Sequence, residues 1–137
     1  MEICRYRSTS QIEVRYAETD QMGVVHHSVY AVWFEKARTD FFKQIGSTYA
    51  DVEKEGFVCP VLELNVRYRN PTHYGDVVNI ETTLERIGHL HFRFRYRIDV
   101  AGNLCTTGTT LHCFLKDGKP TCELPAQVSL FFPPNDK

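Results

Sequence analysis

The stretch of residues 16–46 constrains the fold of this chain most, because it joins a polar, glycine-containing loop to one long helical pattern. In its second half, apolar residues recur at spacings of three and four, which is typical of one face of an α-helix. These residues are Val29, Tyr30, Val32, Trp33, Phe34, Ala37, Phe41, Phe42 and Ile45. A helix with so wide an apolar face is usually wrapped by other elements. The pattern therefore predicts one buried helix over residues 28–45.

Most of the remaining sequence alternates between apolar and polar residues, as half-buried strands do. The predicted strands are residues 11–16, 57–69, 76–86, 90–101 and 104–116. The alternation is clearest where Phe92, Phe94 and Tyr96 are separated by arginines. One helix followed by consecutive strands predicts an α+β fold, in which about five antiparallel strands curl around the helix. A chain of 137 residues fits a single domain, residues 1–137.

The alternation also predicts the register of two hairpins, because a slip by one residue would turn every apolar side chain to solvent. A three-residue loop over residues 87–89 would place Leu84 opposite Phe92. The next turn is predicted as a two-residue loop, Gly102-Asn103, since both residue types tolerate the positive φ that such turns need.

The predicted strand over residues 57–69 has the features of a sheet edge. Pro60 lacks an N–H donor, so we expect an edge position or a bulge where this strand starts. Long strands with one charged face can pair edge to edge with a second copy of the chain. The pattern therefore also favours a dimer.

Composition excludes several function classes. The formal net charge of −1 gives no electrostatic footprint for nucleic acid, and no apolar run reaches the roughly 18 residues of a membrane helix. The five cysteines are odd in number and lack CxxC spacing, so they are predicted to be reduced thiols of a cytoplasmic protein. The six histidines show no ligand spacing, so no metal site is expected.

The loop before the helix is the one candidate for chemistry. Asp20 stands seven residues ahead of His27, where the predicted helix begins. N–H groups at a helix start have no intrahelical partner and can stabilise an oxyanion, while a nearby carboxylate can attack a carbonyl or deprotonate a water. This arrangement suits acyl transfer. An aspartate in a glycine-containing loop is also a common turn former, so the spacing alone leaves both interpretations open.

The segment VRYAETDQMGVVHHSVYAVWFEKAR and the strands that follow resemble the hotdog-fold acyl-CoA thioesterases of the 4-hydroxybenzoyl-CoA thioesterase family. The resemblance spans nearly the whole chain. It implies a hotdog fold, with a long antiparallel sheet wrapped around one central helix. It also implies a homodimer whose two sheets join, in many members a homotetramer, with the active sites at the dimer interface.

The same resemblance implies roles for individual residues. Asp20 matches the family's catalytic aspartate, which acts as nucleophile or general base. His27 matches the position whose backbone N–H polarises the thioester carbonyl, and its side chain is also expected to assist. Tyr30 matches a tyrosine near the acyl pocket, and Gly23 lies in the same motif and is expected to bind substrate. His26 stands where close relatives carry tyrosine, so we expect it to line the acyl or pantetheine channel.

The implied substrate is an acyl-CoA, with acyl carrier protein as an alternative donor. Coenzyme A would then be part of the substrate and a product, and no cofactor is expected. Its phosphates require cationic partners, for which Arg86 and His89 beside the Gly88 turn are predicted. Glu35 is the alternative carboxylate if Asp20 is not catalytic, although it lies roughly 12 Å along the helix from His27.

Two other functions remain open from the residues. The first is an acyl-thioester hydratase or dehydratase, which usually carries Asn-Pro between its aspartate and histidine, a pair that residues 21–26 lack. The second is a non-catalytic acyl-CoA-binding module. The first predicts hydration of a 2-enoyl-CoA, and the second predicts tight binding without hydrolysis.

Overall fold

A curled antiparallel sheet around one central helix makes up the computed structural model of the chain, which describes residues 2–132. The helices are α1 (Val29–Gln44), α2 (Tyr49–Lys54) and α3 (Ala126–Ser129). The strands are β1 (Glu2–Ile3), β2 (Ser8–Glu13), β3 (Phe57–Val58), β4 (Val61–Tyr68), β5 (Val77–Ile87), β6 (His91–Val100), β7 (Asn103–Lys116) and β8 (Lys119–Thr121). The five longest strands lie in the order β2-β5-β6-β7-β4. The predicted α+β class and hotdog arrangement are confirmed.

Helix α1 packs against the middle of the sheet through its aromatic side chains. The ring of Phe34 stacks on the ring of Tyr96, with centroids 4.1 Å apart and planes 6° apart. It also covers Gly108 in β7, where an added Cβ would lie 2.4 Å from the Phe34 ring. A strand glycine that permits so close an approach fixes the position of the helix on the sheet. The prediction for Val32 was wrong, because this side chain faces away from the sheet and is 59% exposed.

The first long strand starts earlier than its alternation predicted. Strand β2 begins at Ser8 and ends at Glu13, and a 3₁₀ turn follows over Tyr16–Glu18. Ser8 and Ser10 are buried at inward positions of this strand. The alternation reveals inward positions only where they carry apolar residues, so it missed this part of the strand.

The registers of both hairpins also differ from the predicted ones. Leu84 pairs with Phe94 rather than Phe92, because the loop occupies residues 88–90. A shift of two residues leaves every side chain on its predicted face, so the alternation could not detect it. The next turn is Ala101-Gly102 instead of Gly102-Asn103, and a bulge between Ile98 and Asp99 corrects only part of the difference, so Phe94 pairs with Thr110 where the predicted loop would pair it with Leu111.

Strand β4 is confirmed as an edge. Its partner within the described chain is β7 alone, and the register shifts between Val61 and Glu63, directly after Pro60. Large apolar side chains on β4, including Leu62 and Leu64, remain about half exposed. No helix among residues 2–132 has the length and apolar character needed to cross a membrane.

Candidate active site

The candidate loop forms a small hairpin, residues 18–26, which we call the loop hairpin. The His26 N–H donates to the Glu18 carbonyl at 2.9 Å, Thr19 pairs with Val25, and the Asp20 N–H donates to the Val24 carbonyl at 2.8 Å. Gly23 closes the tip with a φ of 78°, which glycine adopts without strain. The hairpin returns the chain to the start of α1 and thereby brings Asp20 close to His27.

The Asp20 carboxylate has one occupied and one unoccupied oxygen. Oδ1 accepts the Met22 N–H at 2.8 Å, which is a turn-forming bond. Oδ2 accepts no hydrogen bond from any residue that the structure describes. One oxygen therefore stabilises the turn and the other has no partner among the described residues, so the catalytic role of this aspartate stays a prediction.

The backbone at His27 offers a donor in the same place. Among residues 2–132 the His27 N–H has no hydrogen-bond acceptor, whereas its neighbours do: the Ser28 N–H bonds to His26 Nδ1 and the Val29 N–H to the His26 carbonyl. The Tyr68 hydroxyl donates to the His27 carbonyl at 2.8 Å and so holds the orientation of the following peptide. The His27 N–H can therefore bind an oxyanion.

A pocket of about 290 Å³ adjoins both groups. The predicted residues Asp20, His27 and Tyr30 line it, together with Met22, Val24, Val25, Tyr68, Arg69, Asn70 and Pro71. Its wall is mostly apolar, so it suits an acyl chain or ring.

Tyr30 contributes its ring rather than its hydroxyl to this wall. The side chain is only 2% exposed, and its hydroxyl lies 2.8 Å from Oγ1 of the fully buried Thr72. The ring packs edge-to-face against Trp33 at 5.0 Å and Tyr68 at 5.3 Å. These contacts make Tyr30 a rigid part of the pocket.

The other predicted substrate residues lie around or away from the pocket. His26 and Gly23 belong to the loop hairpin but do not line the cavity; the His26 ring lies 4.1 Å from the His27 ring, and its Nδ1 lies 2.8 Å from Ser28 Oγ. The exposed Glu35 does not line the cavity either.

Arg86 and His89 lie at the opposite end of the sheet. The Asp20 loop adjoins the Val77 end of β5, whereas Arg86 is nine residues further along, about 30 Å at the usual rise of a strand. The Arg86 guanidinium lies over the Phe92 ring and donates to the Cys122 carbonyl at 2.8 Å. Within one chain the structure does not bring these two residues to the pocket, and their role in phosphate binding stays a prediction.

Sequence reasoning missed the wall formed by Tyr68, Arg69, Asn70 and Pro71. The strand and turn that contain them were predicted, but no local spacing shows that the end of β4 returns to the start of α1. Arg69 is the one Lys or Arg among the lining residues, it is exposed, and it forms no ion pair with any described residue.

Comparison with known proteins identifies the family. The family model described as the thioesterase-like superfamily matches residues 14–132. The chain belongs to this superfamily. Its enzyme class is therefore thioester hydrolase, as the resemblance implied.

Individual relatives of this thioesterase agree. The Bacillus subtilis protein YneP, named provisionally as an acyl-CoA thioesterase, is 42% identical over 106 residues, which cover 77% of each chain. The DHNA-CoA thioesterase from Staphylococcus aureus superposes with a TM-score of 0.77 at 43% identity, over 83% of this chain and 78% of that one. A hypothetical protein from Thermus thermophilus gives a TM-score of 0.82 at 42% identity, over 90% and 98% of the two chains.

Proposed function

We propose that this chain is an acyl-CoA thioesterase, in which Asp20 is the nucleophile or general base and the His27 N–H binds the oxyanion. The observation that carries the proposal is the pairing of two unsatisfied groups at one pocket: Asp20 Oδ2 and the His27 N–H. An acceptor with negative charge and a backbone donor are the two parts that thioester hydrolysis needs.

The chemistry can follow two routes through the same atoms. As a nucleophile, the Asp20 carboxylate adds to the thioester carbonyl, and the electron pair moves to the oxygen at the His27 N–H. Collapse then expels the thiolate of coenzyme A and leaves an acyl-aspartyl anhydride for water to hydrolyse. As a general base, Asp20 takes a proton from water while that water adds to the carbonyl, and the proton passes to the departing thiolate.

Arg69 supports a proposal for the other end of the substrate. The phosphates of coenzyme A require cationic partners, and Arg69 supplies the cationic side chain of the pocket wall. An Arg69→Ala variant is expected to raise KM several-fold and to leave kcat nearly unchanged, because phosphate binding is equal in ground and transition states. If Arg86→Ala raised KM instead, the phosphates would bind at the β5–β6 turn, where the sequence predicted Arg86 and His89 as their partners.

Strand β4 supports a homodimer formed through its free edge. Unpaired backbone groups and half-exposed apolar side chains, among them Leu62 and Leu64, are a template for the same strand of a second chain. Light scattering is expected to give the mass of a dimer or of the predicted tetramer. A Leu64→Lys variant is expected to lower it, whereas a monomeric wild type would contradict this proposal.

The experiment that tests the function measures thiol release from short, long and aromatic acyl-CoAs. Asp20→Asn is the decisive variant, because asparagine keeps an oxygen for the Met22 N–H and so preserves the turn. We expect kcat to fall by about 10²-fold or more. A blank must be subtracted, since all five cysteines are free thiols.

Turnover that survives Asp20→Asn would overturn the assigned chemistry. Turnover with acyl carrier protein thioesters alone would change the donor but keep the mechanism. Hydration of a 2-enoyl-CoA without thiol release would favour the hydratase alternative, and tight binding without turnover would favour the non-catalytic one.

A further inference from the structure

A second carboxylate lies beside the proposed site, and the mechanism above does not use it. Glu18 is only 6% exposed. Its Oε1 accepts the Arg15 N–H at 2.8 Å, and its Oε2 accepts the indole N–H of Trp33 at 3.0 Å. The Arg15 guanidinium lies 3.4 Å from Oε2, on a side chain that is mostly exposed.

Glu18 connects the loop hairpin and helix α1, the two elements that form the site. Its main chain opens the loop hairpin, where its carbonyl accepts the N–H of His26, the residue before His27. Asp20 follows it by two residues in the same hairpin. Its side chain reaches α1 at Trp33, which is 2% exposed and packs against Tyr30.

The bond between Glu18 and Trp33 is the one side-chain hydrogen bond that joins the loop hairpin to α1 within residues 2–132. A carboxylate acceptor makes this bond stronger than a neutral one. Burial alone would raise the pKa of the Glu18 carboxyl, yet the Arg15 N–H and the Trp33 indole together hold that pKa below its usual value. The carboxylate is therefore ionised at neutral pH.

We propose that Glu18 is a positioning residue of this thioesterase, whose bond to the Trp33 indole sets the position of the Asp20 carboxylate relative to the His27 N–H. The proposal rests on the function proposed above. Without this bond the hairpin keeps its backbone bonds to Thr72 and to the start of α1, but no side-chain hydrogen bond among the described residues holds it on the face of the helix. Small displacements of a reacting group lower kcat strongly.

Two variants act on the bond from its two ends, one by removing it and the other by weakening it. Trp33→Phe deletes the indole N–H and keeps an aromatic ring in the core, and Glu18→Gln deletes the charge and keeps one acceptor oxygen. In each we expect kcat to fall by about 10-fold or more while KM changes less than about 3-fold, since substrate contacts are intact. The double variant is expected to lose no more than the worse single variant, because both act on the same interaction.

Glu85→Gln is the matched control. Glu85 is equally buried, at 5% exposed, and it binds Arg93 and Arg95 at 3.2 and 3.0 Å on another part of the sheet. The change is chemically identical, so a loss caused only by weakened folding would occur in both variants. We expect Glu85→Gln to keep the wild-type kcat.

Fluorescence supplies a readout that is independent of activity, because Trp33 is the only tryptophan in the chain. Acid titration of the wild type is expected to shift its emission as Glu18 takes up a proton, with a midpoint below the usual glutamate pKa. Glu18→Gln is expected to abolish that transition while the thermal unfolding midpoint stays near that of Glu85→Gln.

Three results would overturn the proposal: equal kcat in Glu18→Gln and Glu85→Gln, losses that multiply in the double variant, or an emission transition that survives Glu18→Gln. These outcomes are distinct from failure of the proposed function. If Asp20→Asn abolishes turnover and Glu18→Gln does not, only the positioning role fails; if Asp20→Asn leaves turnover intact, the function itself fails.

Discussion

Two buried charges lie at helix α1, one on a side chain that contacts the helix and one on the helix itself, and the protein stabilises each in a different way. Near the start of the helix, the Glu18 carboxylate receives the indole N–H of Trp33, and the charged Arg15 lies beside it. Further along, the Arg38 guanidinium is 8% exposed and donates to the hydroxyl of Tyr96 at 3.1 Å, with no carboxylate in bonding distance among the described residues.

The side chains around Arg38 are neutral and form a chain of hydrogen bonds, in which donor and acceptor can be assigned at each step. Arg38 can only donate, so the Tyr96 hydroxyl accepts from it and donates its own O–H to Thr110 Oγ1 at 2.6 Å. Thr110 then donates to His112 Nε2 at 2.7 Å, and His112 Nδ1 donates weakly to the Cys59 carbonyl at 3.4 Å. Each donor has an acceptor only if His112 is neutral.

The pKa values agree with this direction. Burial raises the pKa of Tyr96 to about 12, and burial together with Arg38 lowers the pKa of His112 to about 4. At neutral pH this series of hydrogen-bonded side chains therefore contains one charge, that of Arg38. The difference between the two places indicates a division of roles: the Glu18 bond orients a loop, whereas the Arg38 chain fills and stabilises the core.

The largest expected effect in this comparison is the pH dependence of stability. The folded His112 has a lower pKa than an unfolded histidine, so between about pH 6.5 and 4 the unfolded state binds more protons and stability falls as pH falls. The expected loss is on the order of 3 kcal/mol by pH 4, measured by urea unfolding. His112→Gln should flatten this dependence, while His26→Gln, at an exposed ring, should not.

Glu18 is expected to act in an adjoining window. Its folded pKa is lowered, so its contribution to stability is present above the ordinary pKa of an unfolded glutamate and is lost as pH falls below it. We expect the pH windows of Glu18 and His112 to be separate. If the free energy of unfolding of Glu18→Gln differed from that of wild type only between pH 6.5 and 5, this expectation would be contradicted.

Thr110→Val should have an intermediate effect. It leaves the Tyr96 hydroxyl and His112 Nε2 without the partner between them, at an expected cost of about 2 kcal/mol in the free energy of unfolding. The kcat of the folded fraction should stay unchanged, in contrast to Glu18→Gln. A lower kcat in Thr110→Val would show that the core chain also sets the geometry of the site.

Arg38→Met should have the smallest effect. The partners of Arg38 are the neutral hydroxyls of Tyr96 and Tyr49, and Tyr96 keeps its bond to Thr110. Removal of the buried charge relieves a desolvation cost that offsets the lost bonds, so stability should change by less than about 1 kcal/mol in either direction. Chemical denaturation of Arg38→Met beside Thr110→Val makes the comparison direct. A loss of several kcal/mol would mean that Arg38 carries more of the core's stability than its neutral partners indicate.

Sequence patterns predicted the parts of this protein that depend on local periodicity. The buried face of α1 and the inward faces of β5 and β6 follow from spacing, but the register of Leu84 does not, because a shift of two residues preserves the faces. The inward Ser8 and Ser10 gave no apolar signal, so the start of β2 was missed.

The candidate site was predictable to the same extent. Asp20 and His27 lie close in sequence and could be paired by spacing and resemblance. The bond from Glu18 to Trp33 joins a loop to a helix face across 15 residues, and no repeat marks such a contact. Tyr68 reaches His27 across 41 residues, which only the tertiary fold defines.

That last contact has a consequence for how the enzyme is made. The residues proposed for chemistry are synthesised before the wall of their pocket, which lies in β4 and the turn after it, and β2 pairs with β5 across roughly seventy residues. Pairings so distant in sequence form slowly because a long loop must close first. A nascent chain that ends before residue 71 therefore has Asp20 and His27 without a complete pocket, and thioester hydrolysis begins only after most of the sheet has been synthesised.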